Sequence, residues 1–151
     1  MKKLKFRGDY YFLSGSFYSR FKLDSYKFKN SVSAFLSYKN KKRQAEFEFL
    51  SPSQARKLAA SIEPDDEWEE YKLHCLYKAN LAKFEQDLYW QEKLLKIDED
   101  RMPEENLGRV LLLVKHSIES KKRVKKLIDE QEEDIFYEKI MEVLTTPEAG
   151  E

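Results

Sequence analysis

Residues 64–86, PDDEWEEYKLHCLYKANLAKFEQ, combine a helix start with a long run of apolar residues at helical spacing. Pro64 followed by two aspartates is typical of a helix start. Apolar side chains then recur at intervals of three and four residues, which predicts a long helix with one buried stripe. The stripe comprises Trp68, Tyr71, Cys75, Ala79 and Ala82, widened by Leu76, Leu81 and Phe84.

More helices are predicted on the C-terminal side of this stretch. Leucines and an isoleucine indicate a helix over about 86–97, and the polar segment 98–105 then reads as a loop. Another helix is predicted from Glu104, and the last 30 or so residues continue in the same manner until Pro147 and Gly150. Gly108 lies inside a predicted helix, where it costs about 1 kcal/mol relative to Ala, so a close backbone approach is expected there.

The N-terminal side has a different pattern. Residues 4–13 and 17–28 are rich in aromatic and apolar side chains, and both predict short strands joined by turns. A helix is predicted from Asn30 or Ser31, either of which can cap it. The sequence Ser51-Pro52-Ser53-Gln54 predicts a second helix start with a capping box. The expected fold class is therefore α+β and mostly helical, with a small N-terminal antiparallel β element.

Composition narrows the functional classes. The chain has 151 residues, with 28 basic and 28 acidic side chains and a formal net charge of zero, so nucleic acid is not indicated as a partner. The first 43 residues are basic, which is compatible with a local anion site. One cysteine, Cys75, excludes an intrachain disulfide and suits a reducing compartment. We expect a cytoplasmic protein without a membrane span, because no apolar stretch is long enough to cross a bilayer.

Metal and cofactor sites are not expected. His74 and His116 lack ligand spacing, and no phosphate-binding glycine loop is present. Cys75 follows His74 directly, but neighbouring residues on a helix point about 100° apart, so they do not make a catalytic pair. Cys75 lies on the apolar stripe and is interpreted as a buried structural cysteine.

The ordered set of segments resembles the NADAR (YbiA-like) family, over about residues 6–116. The closest matches are Trp68-Glu69-Glu70-Tyr71-Lys72 and Ala82-Lys83-Phe84-Glu85-Gln86. The other matching segments are Phe6 to Ser14, Phe21 to Asp24, Lys27 to Ser31, Leu50 to Leu58 and Glu105 to Arg109. The resemblance implies a mostly helical domain. It also implies a relationship to enzymes that cleave N-glycosidic bonds, acting on riboflavin-pathway intermediates or on ADP-ribosylated guanine.

The inferred pocket departs from the family pattern in three places, namely the first helix, the loop before the last helix and the hairpin. The family's glutamate after the serine at the first helix is Val32 here, and valine can neither stabilise an oxocarbenium-like state nor activate water. The family's glutamine one turn later is Leu36, whereas its lysine is kept as Lys39. The loop 96–105 is short and lacks the family's Trp-Gly-Asp type motif. Finally, Gly15-Ser16 displaces the asparagine near the hairpin.

These departures predict a divergent, non-catalytic protein of this fold. It would bind a partner protein or an ADP-ribose or nucleotide-like ligand, and the reuse of degenerate enzyme folds in phage–host conflict is a further analogy based on fold alone. A remnant pocket would contain Arg7, Lys39 and Asn106, with no catalytic residue and no cofactor. The alternative is an active N-glycosidase or ADP-ribosyl glycohydrolase that uses a carboxylate of the loop. The candidates are Asp98, Glu99, Asp100, Glu104 and Glu105.

The C-terminal residues extend beyond the resemblance. We therefore divide the chain into a NADAR-like domain, 1–119, and a C-terminal helical extension, 120–151. The extension has a basic start and an acidic middle, with apolar residues at helical spacing. Its apolar stripe suits packing on its own domain, and equally suits self-association or a protein partner through 120–145.

Overall fold

The computed structural model describes residues 2–145 and confirms the mostly helical α+β fold class. By contacts, the chain divides between His116 and Ser117 into two compact units. The predicted limits of the extension, 120–151, run beyond the described residues, and so do Pro147 and Gly150. The helices are α1 (Ser31–Ser37), α2 (Pro52–Ser61), α3 (Trp68–Glu85), α4 (Leu88–Leu95) and α5 (Asn106–Thr145); the strands are β1 (Phe21–Leu23) and β2 (Tyr26–Phe28); and 3-10 helices span Gly8–Leu13, Lys41–Phe47 and Glu99–Arg101.

The strands β1 and β2 form an antiparallel hairpin, with Phe21 opposite Phe28 and Leu23 opposite Tyr26. Asp24 and Ser25 make the two-residue turn, and both have positive φ angles, of 50° and 71°. The Asp24 carboxylate accepts hydrogen bonds from the Tyr38 hydroxyl and from Lys78 Nζ, the latter at 3.1 Å. These donors, the Tyr38 hydroxyl first, lower the pKa of Asp24 and anchor the turn to α1 and α3.

The prediction of a strand over residues 4–13 is wrong, because Gly8–Leu13 is a 3-10 helix. Phe12 and Leu13 are adjacent in sequence and both are buried. Adjacent residues point to opposite faces in a strand, whereas in a 3-10 helix they lie about 120° apart. The predicted turn at Gly8 does occur, with a φ of 58°.

The helix starts follow the capping residues. Asn30 caps α1 by accepting from the Ser33 N–H at 2.8 Å, and Ser51 and Gln54 form the predicted capping box of α2. The long helix α3 begins at Trp68 rather than at Pro64. The reason is that Asp65 serves the preceding loop: its N–H donates to the Lys39 carbonyl at 2.7 Å, and its carboxylate accepts from the Lys41 N–H at 2.9 Å.

The core of the first unit lies between the hairpin, α1, α2 and α3. Five alanines of these helices are buried and admit close helix packing around the phenylalanines. The cluster comprises Phe21, Phe28, Ala34, Phe47, Ala55, Ala59, Ile62, Ala79 and Ala82. Trp68, Phe84 and Cys75 are also buried, as predicted, whereas Tyr71 is half exposed.

Gly108 occupies a crowded position near the start of α5. A Cβ atom built there would lie 1.9 Å from the Pro103 carbonyl oxygen. The predicted close backbone approach is therefore present, and it involves the loop that precedes the helix.

The described part of the second unit is the α5 segment from Ser117 to Thr145, and every residue from Ser120 to Thr145 is exposed. Among residues 2–145, none of the helices combines the length and the apolar character that a membrane crossing requires.

Candidate functional site

A cleft of about 670 Å³ opens between the N-terminal 3-10 helix, α4 and the 3-10 helix at Glu99–Arg101. We call it the aromatic cleft. Its lining combines aromatic rings with basic side chains. The lining residues are Gly8, Asp9, Tyr10, Tyr11, Phe12, Phe17, Tyr89, Trp90, Lys93, Lys96, Ile97, Asp98 and Arg101.

Trp90 organises the aromatic wall. Its ring stacks on Phe12 with centroids 4.9 Å apart, and it meets Phe17 and Tyr89 edge to face at 5.0 and 4.8 Å. Such arrangements are favoured by the ring quadrupoles and hold the side chains in defined positions. Tyr89 is 62% exposed, so the wall presents an accessible aromatic surface.

Three cations border this wall. The Arg101 guanidinium lies 5.4 Å from the centre of the Tyr10 ring and donates to the Tyr10 hydroxyl at 3.1 Å. Lys93 Nζ lies 5.5 Å from the centre of the Tyr89 ring, and Lys96 lines the same cleft. These contacts orient positive charge beside aromatic faces without neutralising it.

The carboxylates in the lining are Asp9 and Asp98. Asp98 caps the 3-10 helix Glu99–Arg101, because its side chain accepts from the Asp100 N–H at 3.0 Å. The other loop candidates, Glu99, Asp100, Glu104 and Glu105, do not line the cleft, and Glu99 pairs with His116 at 3.2 Å. Asp98 is therefore the one predicted loop carboxylate that reaches this cleft.

Lys83 supports the polypeptide that carries Phe12 and Phe17. Its buried ammonium donates to the carbonyls of Phe12 and Ser14 at 2.7 and 3.1 Å and lies 5.5 Å from the Phe17 ring centre. Burial lowers the pKa of Lys83 to about 7. The lysine of the Ala82-Lys83-Phe84 segment thus positions one wall of the cleft.

Gly15 and Val32, two positions that the resemblance marks as departures from the family pattern, lie in contact. The Val32 N–H donates to the Gly15 carbonyl at 3.2 Å, and a Cβ atom on Gly15 would lie 2.7 Å from Val32 Cγ2. A larger residue at position 15 would therefore collide with Val32. The substitutions at positions 15 and 32 are sterically coupled.

The predicted remnant-pocket residues do not line the aromatic cleft. Lys39 donates to the Ala59 carbonyl at 2.5 Å, at the C-terminal end of α2. Arg7 is exposed just before the first lining residue, and Asn106 is exposed as the first residue of α5. Their role in ligand binding stays a prediction.

Sequence reasoning missed Tyr89, Trp90, Lys93 and Arg101. Trp90 precedes Leu94 by four residues and Ile97 by seven, so it shares the apolar face of α4 and has the spacing of a core residue. Tyr89 lies on the polar face, with Lys93 four residues and Lys96 seven residues further along. An exposed aromatic residue in line with lysines at helical spacing is the signal that would have found Tyr89.

Cys75 lines a second cleft, of about 360 Å³, together with His74 and Lys78. Burial raises the pKa of the Cys75 thiol, which opposes the thiolate form needed for nucleophilic chemistry. Among residues 2–145, no group of three His, Cys, Asp or Glu side chains is placed to hold a metal ion.

Comparison with known proteins gives a fold relationship. Neither a protein-family model nor a curated protein matches the sequence. The NMR structure of the Escherichia coli protein YbiA superposes with a TM-score of 0.66 and 22% sequence identity, over 81% of this chain and 86% of that chain. This chain has the YbiA fold. The expected NADAR-like architecture is thereby confirmed, and the YbiA fold provides the frame for the aromatic cleft.

Proposed function

We propose that this chain is a non-catalytic binding protein on the YbiA fold, and that its aromatic cleft takes a nucleotide-like ligand such as ADP-ribose. The observation that carries the proposal is the combination of stacked aromatic rings with Lys93, Lys96 and Arg101 in one cleft. Its volume, about 670 Å³, is in the range of small-molecule sites.

The two chemical parts of the ligand match the two parts of the lining. A planar base stacks on the exposed face of Tyr89, beside Trp90, and such stacking contributes about 1–3 kcal/mol per base. Phosphate oxygens accept charge-assisted hydrogen bonds from Lys93 and Lys96. Arg101 is already oriented by Tyr10, so less conformational freedom is lost when it engages an anion.

The resemblance supports the non-catalytic part of the proposal, because it implies a catalytic glutamate at position 32, a position that does not line the aromatic cleft. Cleavage of an N-glycosidic bond develops positive charge on the sugar, which a carboxylate stabilises. Val32 supplies no charge, and its side chain packs against Gly15. Of the two carboxylates in the cleft, Asp98 is engaged in capping, and Asp9 lies in the first turn of the N-terminal 3-10 helix.

Isothermal titration calorimetry with ADP-ribose tests the proposal, followed by chromatography of the mixture for cleavage products. We expect binding without cleavage, and a loss of affinity of about 5- to 150-fold in Tyr89→Ala, as expected for one stacking contact. Tyr18→Ala is the matched control, because Tyr18 is 61% exposed and does not line the cleft. Absence of binding at millimolar ligand, or equal affinity in the two variants, would refute the proposal.

The charge requirement is tested with a second pair. Lys93→Ala should weaken binding of ADP-ribose more than binding of adenosine, since adenosine lacks phosphates. Lys57→Ala, which removes an exposed lysine of α2 outside the cleft, should change neither. Equal losses for both ligands in Lys93→Ala would contradict the assignment of phosphate to this side of the cleft.

An active N-glycosidase is the second candidate, and the presence of Asp98 in the cleft favours it. Asp98→Asn keeps an oxygen that can cap the 3-10 helix but removes the charge. Under this alternative, the chain cleaves ADP-ribosylated guanosine or a riboflavin-pathway intermediate, and Asp98→Asn abolishes the turnover. Turnover that persists in Asp98→Asn excludes this carboxylate.

A further inference from the structure

The described part of the second unit carries an exposed apolar seam. We define the helix seam as Val124, Ile128, Gln131 and Ile135, which recur at alternating intervals of four and three residues. Its three apolar members are 49–55% exposed. Such spacing places them along one face of a helix, which is typical of a surface that packs against another helix.

The charges around the seam form two blocks of opposite sign. The basic block spans 121–126 and the acidic block spans 129–134. The five basic residues are Lys121, Lys122, Arg123, Lys125 and Lys126, and the five acidic residues are Asp129, Glu130, Glu132, Glu133 and Asp134. Within the helix the basic block precedes the acidic block. Two copies of the segment that run in opposite directions therefore place each basic block beside an acidic block.

We propose that the helix seam is the interface of an antiparallel homodimer, with a second copy of this chain as the occupant. A two-fold axis between Asp129 and Glu130 places Val124 opposite Ile135 of the partner subunit. It likewise places Ile128 opposite Gln131 of the partner subunit. The basic block of each copy then lies beside the acidic block of the other.

The heptad positions identify which charged residues pair across the interface. With Val124 and Gln131 at position d, and Ile128 and Ile135 at position a, Lys125 and Glu132 are both at position e. In an antiparallel pair the e positions of the two helices face each other, so Lys125 pairs with Glu132 of the partner subunit. The symmetry makes this pair twice.

A parallel, in-register pair lacks this match. It sets the basic block beside the partner's basic block and the acidic block beside the acidic one, which is repulsive. Charge therefore selects the antiparallel orientation, and Gln131 in the seam restricts the register.

The interface is small, with four layers of seam contacts. The two layers that contain Gln131 contribute less than the two that pair valine with isoleucine. The dimer is therefore weak and concentration-dependent, at the lower end of specific protein interfaces.

Sedimentation equilibrium of the whole chain, up to about 0.5 mM and at moderate salt, tests the interface at concentrations that populate weak complexes. We expect a monomer–dimer equilibrium for the natural sequence. Lys125→Glu and Glu132→Lys should each weaken self-association about tenfold or more, because each replaces two attractive pairs by two repulsive ones. An equimolar mixture of the two variants should form a heterodimer, and the double variant should dimerise alone.

Lys126→Glu and Glu133→Lys are matched controls. They make the same charge changes one residue further along, at position f, which faces away from the partner, so they should leave the association nearly unchanged. Trp68 and Trp90 both lie in the first unit, so their fluorescence during thermal unfolding verifies that each variant keeps that unit folded. A natural chain that stays monomeric, or a mixture that fails to restore the dimer, would overturn the proposal.

Discussion

Replacing Gly108 by alanine sets two known effects against each other. Alanine is the better helix former, by about 1 kcal/mol, so helix propensity alone predicts stabilisation. The added Cβ, however, would lie 1.9 Å from the Pro103 carbonyl oxygen, and ordinary contact begins at 3.4 Å. The shortfall is 3.4 − 1.9 = 1.5 Å, and the obstacle is backbone rather than the end of a flexible side chain.

Relief of this clash requires movement of the loop before α5. Pro103 is conformationally restricted, and Met102 beside it is buried, so the loop cannot shift without disturbing the core. Overpacking of this kind typically costs about 1–3 kcal/mol, and more where backbone must move. After subtraction of the propensity gain, we expect a net destabilisation of about 2 kcal/mol and a Tm lower by about 8 °C.

Calorimetry or urea unfolding measures this difference directly. Arg109→Ala is the control, since Arg109 is the next residue of α5 and is exposed. It should change stability by only a few tenths of a kcal/mol. A Gly108→Ala variant that is more stable than the natural chain would refute the reasoning, because propensity would then outweigh the clash.

Three further predictions concern the framework of the first unit. Burial lowers the pKa of Lys83 to about 7, so between pH 7 and 10.5 the folded chain binds fewer protons at Lys83 than the unfolded chain does. The unfolding free energy should therefore rise by up to about 1.4 kcal/mol per pH unit in this range. Urea unfolding measured at several pH values should show this rise in the natural chain and its loss in Lys83→Met. Ser51→Ala removes an observed capping box and should lower the unfolding free energy, measured by chemical denaturation, by about 1 kcal/mol. Ser53→Ala, two residues further along in the first turn of the same helix, should change it little. Gly15→Ala should destabilise the natural chain but cost about 0.5 kcal/mol less in a Val32→Ala background, and a double-mutant cycle without coupling would contradict the contact.

Local rules predicted those parts of the fold whose causes are local. Capping residues gave the starts of α1 and α2, because an N-cap acts on backbone N–H groups only two or three residues away. The recurrence of apolar residues every three or four positions likewise predicted α3. Its start was misplaced by four residues, because Asp65 bonds to the backbone of Lys39 and Lys41, a contact that no local pattern encodes.

The candidate site depended on contacts between distant segments. The sequence offered five loop carboxylates without distinguishing among them, and the structure places one of them, Asp98, in the aromatic cleft. The aromatic cleft itself joins residues 8–17 to residues 89–101. Its geometry rests on packing of Phe12 and Phe17 against Trp90, which sequence spacing does not specify.

The amino-acid sequence is thus sufficient for the helical fold class, the helix caps and the close approach at Gly108. Each of these is a property of a residue and its near neighbours. The tertiary structure was needed to convert the predicted N-terminal strand into a 3-10 helix, to bury Lys83 beneath it and to assemble the aromatic cleft. These features depend on contacts between side chains that are distant in sequence. Such contacts form only when the whole unit packs, because the burial of apolar surface must then offset the loss of conformational entropy.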